Sequence, residues 1–318
     1  MRLYHALQDM SGELGSGIHA AIGSFDGFHR GHQAVVRAML RQARRANRPA
    51  VVVTFNPHPM TVLSPAGPPL ALTTPEQRAR ILEEFAVDAL VELPFTRELA
   101  AVSAETFVLR DLCLQGQVGH AFVGEDFSFG AGGAGSPSVL SAVGERCGLR
   151  ATVVPLVVLG GQAISSTRIR KALAEGRVGP VRQMLGRPFA LVGVVVAGDG
   201  RGRTIGFPTA NLATHETLAQ PKPGVYAVRV RVRGDGEAFG EWLLGVANLG
   251  VRPTVGGTER RLEVHILDWN ADLYGRELEV AFVRHLRAER RFADVVALRE
   301  QIMRDAARAR FLLATERS

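Results

Sequence analysis

The chain of 318 residues is 46% hydrophobic and 22% charged, the balance of a soluble globular protein with material for about two domains. Its formal net charge of +7 rests on 38 Lys and Arg, of which only Lys171 and Lys222 are lysines. This composition excludes a disordered chain, and its longest apolar runs, Val153–Leu159 and Ala190–Ala197, are too short for a membrane-spanning helix.

Residues 1–17 lack the continuous apolar core of a signal peptide, so a cytoplasmic protein is expected. The basic charge is scattered over helix faces, as in Arg37, Arg41, Arg44 and Arg45, with no aromatic-interleaved strip. That pattern argues for anionic small substrates such as nucleotides, against a nucleic-acid partner, and offers no membrane surface. Self-association is left open. The two cysteines, Cys113 and Cys147, lie in helical-looking segments without ligand spacing, and buried free thiols are expected.

The apolar run Ile18–Ile22 reads as a strand and is followed by Gly23-Ser-Phe-Asp-Gly-Phe-His-Arg-Gly-His32, then a helical pattern from Gln33. A strand, a tight turn and a helix N-terminus place unpaired N–H groups and the positive end of the helix dipole where an anion can dock. Gly31 permits close approach of a phosphate, and His29 and His32 can both act as donors toward it. No nucleophilic side chain stands here, so the turn suits holding a triphosphate while another group attacks it. Val35, Met39, Ala43 and Ala46 repeat at helical spacing opposite the arginines.

Ala50–Thr54 reads as a buried parallel strand ending in Phe55-Asn-Pro-His-Pro59, a rigid loop at the strand end where open α/β sheets bind ligands. Thr74-Pro-Glu76 opens a helix, Ala89–Leu93 is a strand, Ala104–Leu112 a helix and Val118–Val123 a strand. The alternation predicts a doubly wound parallel sheet. Gly130–Gly135 reads as a mobile loop, a candidate lid. Ile164-Ser-Ser-Thr-Arg-Ile-Arg170 begins another helix with hydroxyls and cationic groups for a phosphate.

Beyond residue 186 the pattern changes to apolar, β-branched runs separated by turns: Ala190–Ala197, Gly224–Val232, Trp242–Ala247, Leu262–Leu267 and Glu277–Val283. Five or six strands without intervening helices predict a small closed barrel, and Leu298, Ile302, Ala306, Ala309 and Leu313 one face of a terminal helix. The expected domains are therefore 1–186 and 187–318. Gly198–Leu212 is glycine-rich but fits neither a P-loop nor a dinucleotide fingerprint. Within it Thr209 and Asn211, spaced i, i+2, offer oxygen ligands for a hard cation such as Mg2+. Glu263, in a strand that alternates Glu263, His265 and Leu267, is either a structural ion or a general base.

The Gly-x-Phe-Asp-Gly-x-His-x-Gly-His turn resembles the adenylyltransferase module of the bacterial bifunctional riboflavin kinase/FAD synthetase family. Gly206-Phe-Pro-Thr-Ala-Asn211, Pro223–Tyr226, Asn248–Thr254, Glu263-Val-His265, Leu273–Gly275 and Glu289-Arg-Arg-Phe292 resemble successive motifs of riboflavin kinase. The resemblance implies two ATP-dependent steps, riboflavin to FMN in the barrel and FMN to FAD in the α/β domain. It implies His29 and His32 as catalytic groups of the second step. Gly23, Phe25, Asp26, Gly27, Gly31, Asn56, Ser166, Thr167 and Arg170 would hold the nucleotide, with Asp126 and Phe129 on the flavin. For the kinase it implies Glu263 as base and Thr209 and Asn211 on magnesium and phosphate. Gly198, Gly200 and Arg203 would lie over the phosphates, and Arg290 and Phe292 beside the isoalloxazine. Similar sequences carry basic residues in the 124–135 loop where this chain has Ser128, Ala131 and Gly133, so its grip on the FMN phosphate is in doubt. The competing readings are an adenylyltransferase for another phosphorylated acceptor with a non-catalytic barrel, and a nucleic-acid-binding barrel.

Overall fold

The structure is a computed structural model. It describes residues 1–318 except 66, 199–201, 203–205, 235–237, 255, 256 and 316–318, and only the backbone of 251–254 and 257–260. The chain forms two compact units, Met1–Ser166 and Thr167–Ser318.

The strands of the first unit are β1 (Arg2–Tyr4), β2 (Ile18–Ile22), β3 (Ala50–Asn56), β4 (Ala89–Pro94), β5 (Val118–Gly124) and β6 (Arg150–Val154), with the small hairpin β7 (Val158–Leu159) and β8 (Gln162–Ala163). Its helices are α1 (Leu7–Leu14), α2 (Arg30–Ala46), α3 (Pro59–Leu63), α4 (Pro75–Glu84), α5 (Arg97–Ala100), α6 (Ala104–Thr106) running into a π-helical stretch Phe107–Gln115, and α7 (Pro137–Glu145). The six main strands pair in parallel in the order β1-β4-β3-β2-β5-β6. Strands buried on both faces read as continuous apolar runs, and all five residues of β2 are buried. Alternate residues feed two cores: Ala20, Ile22, Val51 and Val53 face one side, and Ala21, Ala50 and Val52 the other, against Val36 and Met39 of α2. Val35, Met39 and Ala43 are buried as their spacing predicts and Val36 joins them, whereas Ala46 is exposed at the last turn of α2. The chain runs outward from β2 through β3 to β4, then returns to place β5 on the other side of β2. The C-terminal ends of β2 and β5 therefore form the switch point of the sheet, the place where open α/β sheets bind ligands.

The second unit holds α8 (Ser166–Ala174, from its second residue on), α9 (Val178–Leu185) and six strands: β9 (Phe189–Val196), β10 (Ala210–Thr214), β11 (Gly224–Val232), β12 (Leu243–Thr254), β13 (Gly257–Ile266) and β14 (Glu277–Arg287). They close into an antiparallel barrel, β10-β13-β12-β11-β14-β9, and α10 (Val295–Thr315) follows. Tyr226, Val228 and Val230 fill the interior, with the Tyr226 hydroxyl donating to the carbonyl of Lys222. Val225 and Ala227, on the outward face of the same strand, are buried against Ala309 and Leu313 of α10. The sequence boundary at 186 leaves α8 and α9 with the α/β domain, whereas they group in space with the barrel, α9 packing on β9 and β14. Their buried faces (Ile169, Ala172, Leu173, Val181, Met184, Leu185) are amphipathic stripes whose partner a local pattern does not identify.

Candidate active sites

The turn after β2 is braced from several sides. Phe25 adopts a left-handed conformation (φ 49°) and is buried with Phe28, which anchors the loop in the α2-side core. The Asp26 carboxylate accepts the Leu72 N–H at 2.8 Å, Gly27 N–H reaches Thr73 Oγ1 at 3.3 Å, and Ser166 Oγ donates to the Asp26 carbonyl at 2.9 Å. Asp26 and Ser166 thus hold the turn's shape, and the inward Asp26 side chain is occupied by backbone. Gly27 needs its lack of Cβ, because φ is 75° and a Cβ would meet Leu72 Cδ1 at 2.7 Å.

His29 is the N-cap of α2, its Nδ1 accepting the His32 N–H at 3.3 Å. In the neutral ring that bond places the proton on Nε2, which makes Nε2 the donor. The His32 ring stacks on His29 at 3.6 Å between centroids and meets Phe25 edge-on at 5.3 Å. Burial first, then the neighbouring His29, holds the His32 imidazole well below its ordinary 6.5. Its Nδ1 is buried with no partner among the described residues. The pair is neutral, stacked and seated at a helix N-terminus, an arrangement that offers N–H donors and a positive dipole to an anion.

Asn56 is exposed at the C-terminal end of β3, next to β2, and its peptide bond to Pro57 is cis. At the end of β5, Asp126 is exposed, whereas Phe129 is 7% exposed, stacked on Phe127 at 5.3 Å and set against Phe107 at 5.8 Å. Phe129, which the resemblance sets on the flavin, is thus a core ring, and half-buried Phe127 is the one nearer solvent. The glycine-rich Gly130–Gly135 is a pinned turn rather than an open lid. Phe129 and Gly135 exchange N–H···O bonds of 3.1 and 2.8 Å, and the Ala131 N–H reaches the Val102 carbonyl at 2.7 Å. Thr167, exposed, and Arg170, half-buried, continue α8 in the second unit.

In the barrel, Leu262, Val264 and Ile266 point inward, so Glu263 and His265 lie on the outer face of β13. Glu263 is paired in register with Asn211 of β10 on one side and Asn248 of β12 on the other. Directly opposed residues share a face, so the three form one row across three strands. Glu263 Oε1 lies 3.8 Å from Arg261 Nη1. Asn211 is 9% exposed, and its Oδ1 is buried without a partner among the described residues. Gly198 covers it closely: a Cβ there would stand 1.9 Å from Asn211 Nδ2. His265 Nδ1 donates to the Pro208 carbonyl at 2.8 Å and packs edge-on against Phe207, which fixes the segment carrying exposed Thr209. Gly200 and Arg203 lie outside the described residues. Phe292 sits under the guanidinium groups of Arg290 (4.8 Å) and Arg287 (5.7 Å), while Arg290 also donates to Gln301.

Residues 13–168 match the family model of FAD synthetase and residues 185–313 that of riboflavin kinase. Over 310 residues the chain is 40% identical to the bifunctional riboflavin kinase/FMN adenylyltransferase of Escherichia coli K12, covering 98% of this chain and 97% of that one. The chain belongs to the bifunctional riboflavin kinase/FMN adenylyltransferase family. The Pseudomonas fluorescens enzyme of the same description is 39% identical over 315 residues, covering 99% and 98% of the two chains. A solved structure described as a macrolide-efflux protein from Streptococcus pneumoniae superposes with a TM-score of 0.85 at 31% identity, covering 97% of this chain and 98% of that one. Efflux is said of that protein; among the described residues here no helix is long and apolar enough to cross a membrane.

The protein phosphorylates riboflavin with ATP and transfers an adenylyl group from ATP to FMN. Sequence reasoning placed Glu263 in a barrel strand without saying whether it points in or out, and read Asn248 only as part of a motif, because the register that sets it opposite Glu263 on the neighbouring strand is not visible in a local pattern. It also missed the disulfide that joins Cys113 of the π-helical stretch to exposed Cys147 beyond α7, where free buried thiols were expected. Two cysteines 34 residues apart carry no pairing signal; only the packing of α7 beside the 107–115 helix brings them together.

Proposed function

We propose that the two reactions are divided between the units, with kinase chemistry on the Asn211–Glu263–Asn248 row and adenylyl transfer at the His29–His32 turn. In the kinase, Glu263 takes the proton of the riboflavin 5′-hydroxyl as it attacks the γ-phosphorus of ATP. Asn211 and Thr209 are the oxygens for Mg2+. The orphaned, buried Asn211 Oδ1 fits that assignment, since a hard cation bound through one or two protein oxygens takes its other ligands from phosphates and water. When bound, the ion would neutralise phosphate charge. Gly198 lies over the phosphates, and Phe292, clamped by Arg287 and Arg290, flanks the isoalloxazine.

In the adenylyltransferase, a phosphate oxygen of FMN attacks the α-phosphorus of a second ATP and pyrophosphate leaves. That oxygen is already anionic at neutral pH, so the site needs charge stabilisation rather than a strong base. His29 Nε2–H and His32 supply it, reinforced by the N-terminus of α2. Gly23, Gly27 and Gly31 keep the backbone approachable, Asn56 holds the nucleotide, and Asp126 meets the flavin. A cytoplasmic location and action without nucleic acid or membrane complete this reading.

The observation that carries it is the cross-strand register of Glu263 between two asparagines, beside an orphaned oxygen. The test is one incubation of the protein with riboflavin, ATP and Mg2+, sampled in time and repeated with the metal chelated. FMN appearing first, FAD second, and neither without metal supports it. Metal-independent FMN formation contradicts the assignment of Thr209 and Asn211.

A further inference from the structure

We infer that Asn248 is a positioning residue of the kinase, orienting the Glu263 carboxylate from the β12 side; this rests on the reading of Glu263 as the base. A carboxylate on the outside of a barrel strand, with its side chain about one-third exposed, is free to swing among rotamers unless its neighbours hold it. Glu263 has neighbours on three sides. Arg261 lies along its own strand at 3.8 Å, and the two cross-strand partners are both asparagines. They are not equivalent. Asn211 is buried beneath Gly198, and its unpartnered oxygen suits a cation.

Asn248 is half-buried. Gly250, two residues on along the same face, leaves a gap: a Cβ there would lie 3.7 Å from Asn248 Nδ2 and 2.7 Å from Glu289 Oε1. The Asn248 amide thus stands between two carboxylates, Glu263 directly opposite and Glu289 over Gly250. Its Nδ2 is a two-proton donor in an acceptor-rich place, which is the chemistry that fixes a carboxylate's orientation without neutralising it. Arg261, opposite Gly250 in register, supplies the compensating charge. An aspartate at 248 would have the same shape and no donor.

The test measures FMN formation for Asn248→Ala and Asn248→Asp beside Glu263→Ala, with FMN-to-FAD conversion as the control for folding of each purified chain. Asn248→Ala is expected to lower kinase kcat about 10- to 100-fold, the effect of misplacing a reacting group by a fraction of an ångström to an ångström, with both KM values within twofold. Asn248→Asp, which keeps the shape and removes the donor, is expected to lower kcat at least as far as Asn248→Ala. Asn248→Gln, which keeps the donor, should restore part of kcat. If Glu263→Ala abolishes FMN formation while Asn248→Ala and Asn248→Asp both keep kcat, the inference is overturned and the base assignment stands. A rise in KM with kcat unchanged also overturns it, because it marks a substrate contact. If Glu263→Ala itself still makes FMN, the underlying assignment of the base fails.

Discussion

The imidazoles of His29 and His32 stack almost face to face, their centroids 3.6 Å apart and their planes 18° from parallel. Two charged rings could not sit so closely, and the low proton affinity of buried His32 keeps the stack neutral at rest. In the proposed assignment, a triphosphate at this turn would bring the negative charge that makes N–H donation from both rings favourable.

Gly31 sits under this stack. A Cβ at 31 would lie 3.0 Å from His29 Cε1 and Nδ1, so Gly31→Ala should turn the His29 ring off its cap. Alanine favours a helix by about 1 kcal/mol over glycine, so stability should hold or rise while FAD formation from FMN falls. FMN formation should not change. Thermal unfolding and the two half-reactions, assayed separately, check this.

Gly198 is its counterpart in the kinase. A side chain there would overlap the Asn211 amide, so Gly198→Ala should suppress riboflavin phosphorylation and leave adenylyl transfer alone. An unimpaired kinase in this variant would mean that Asn211 is free to move without consequence.

These glycines also show how far the sequence could be read. The His-x-Gly-His turn, the alternation of strands and helices and the shift to barrel strands after 186 were all visible, because each is a local pattern of period or motif. What escaped needed contacts distant in sequence. Asp26 reads as a ligand group until Leu72, 46 residues away, is seen to occupy it. Phe129 is set on the flavin by resemblance, and only its contacts with Phe107 and Phe127 show how far it is enclosed. Strand β10 was hidden at the end of a glycine-rich stretch that reads as loop, and without it the partner of Glu263 across Asn211 cannot be named.

The first unit should lose stability as pH falls below neutrality. Burial, with His19 and Arg150 nearby, pushes His120 down to about 4, and burial likewise lowers His19 and His32. Between the unfolded value of 6.5 and these folded values the unfolded chain binds protons that the folded one refuses, so stability is present above 6.5 and is lost toward pH 4. Denaturant unfolding across pH 7.5 to about 4.5 should show this slope, and His120→Gln should flatten it. A flat profile in the parent protein would contradict it.

The Cys113–Cys147 bridge closes a 34-residue separation that contains β5, the Asp126–Phe129 loop and α7. Cross-links of this span stabilise by about 3 kcal/mol, mainly through the unfolded chain. Titration of the denatured, unreduced protein should find no free thiol, and mild reduction should lower the melting temperature of the first unit. Two thiols titrating without reductant would contradict the bridge.

The most direct test of the division of labour is to measure both half-reactions in Glu263→Ala and His32→Ala. Glu263→Ala should lose riboflavin phosphorylation and keep conversion of FMN to FAD, and His32→Ala should do the reverse. If either substitution removes both activities together in a protein that still folds, the two-site account is wrong.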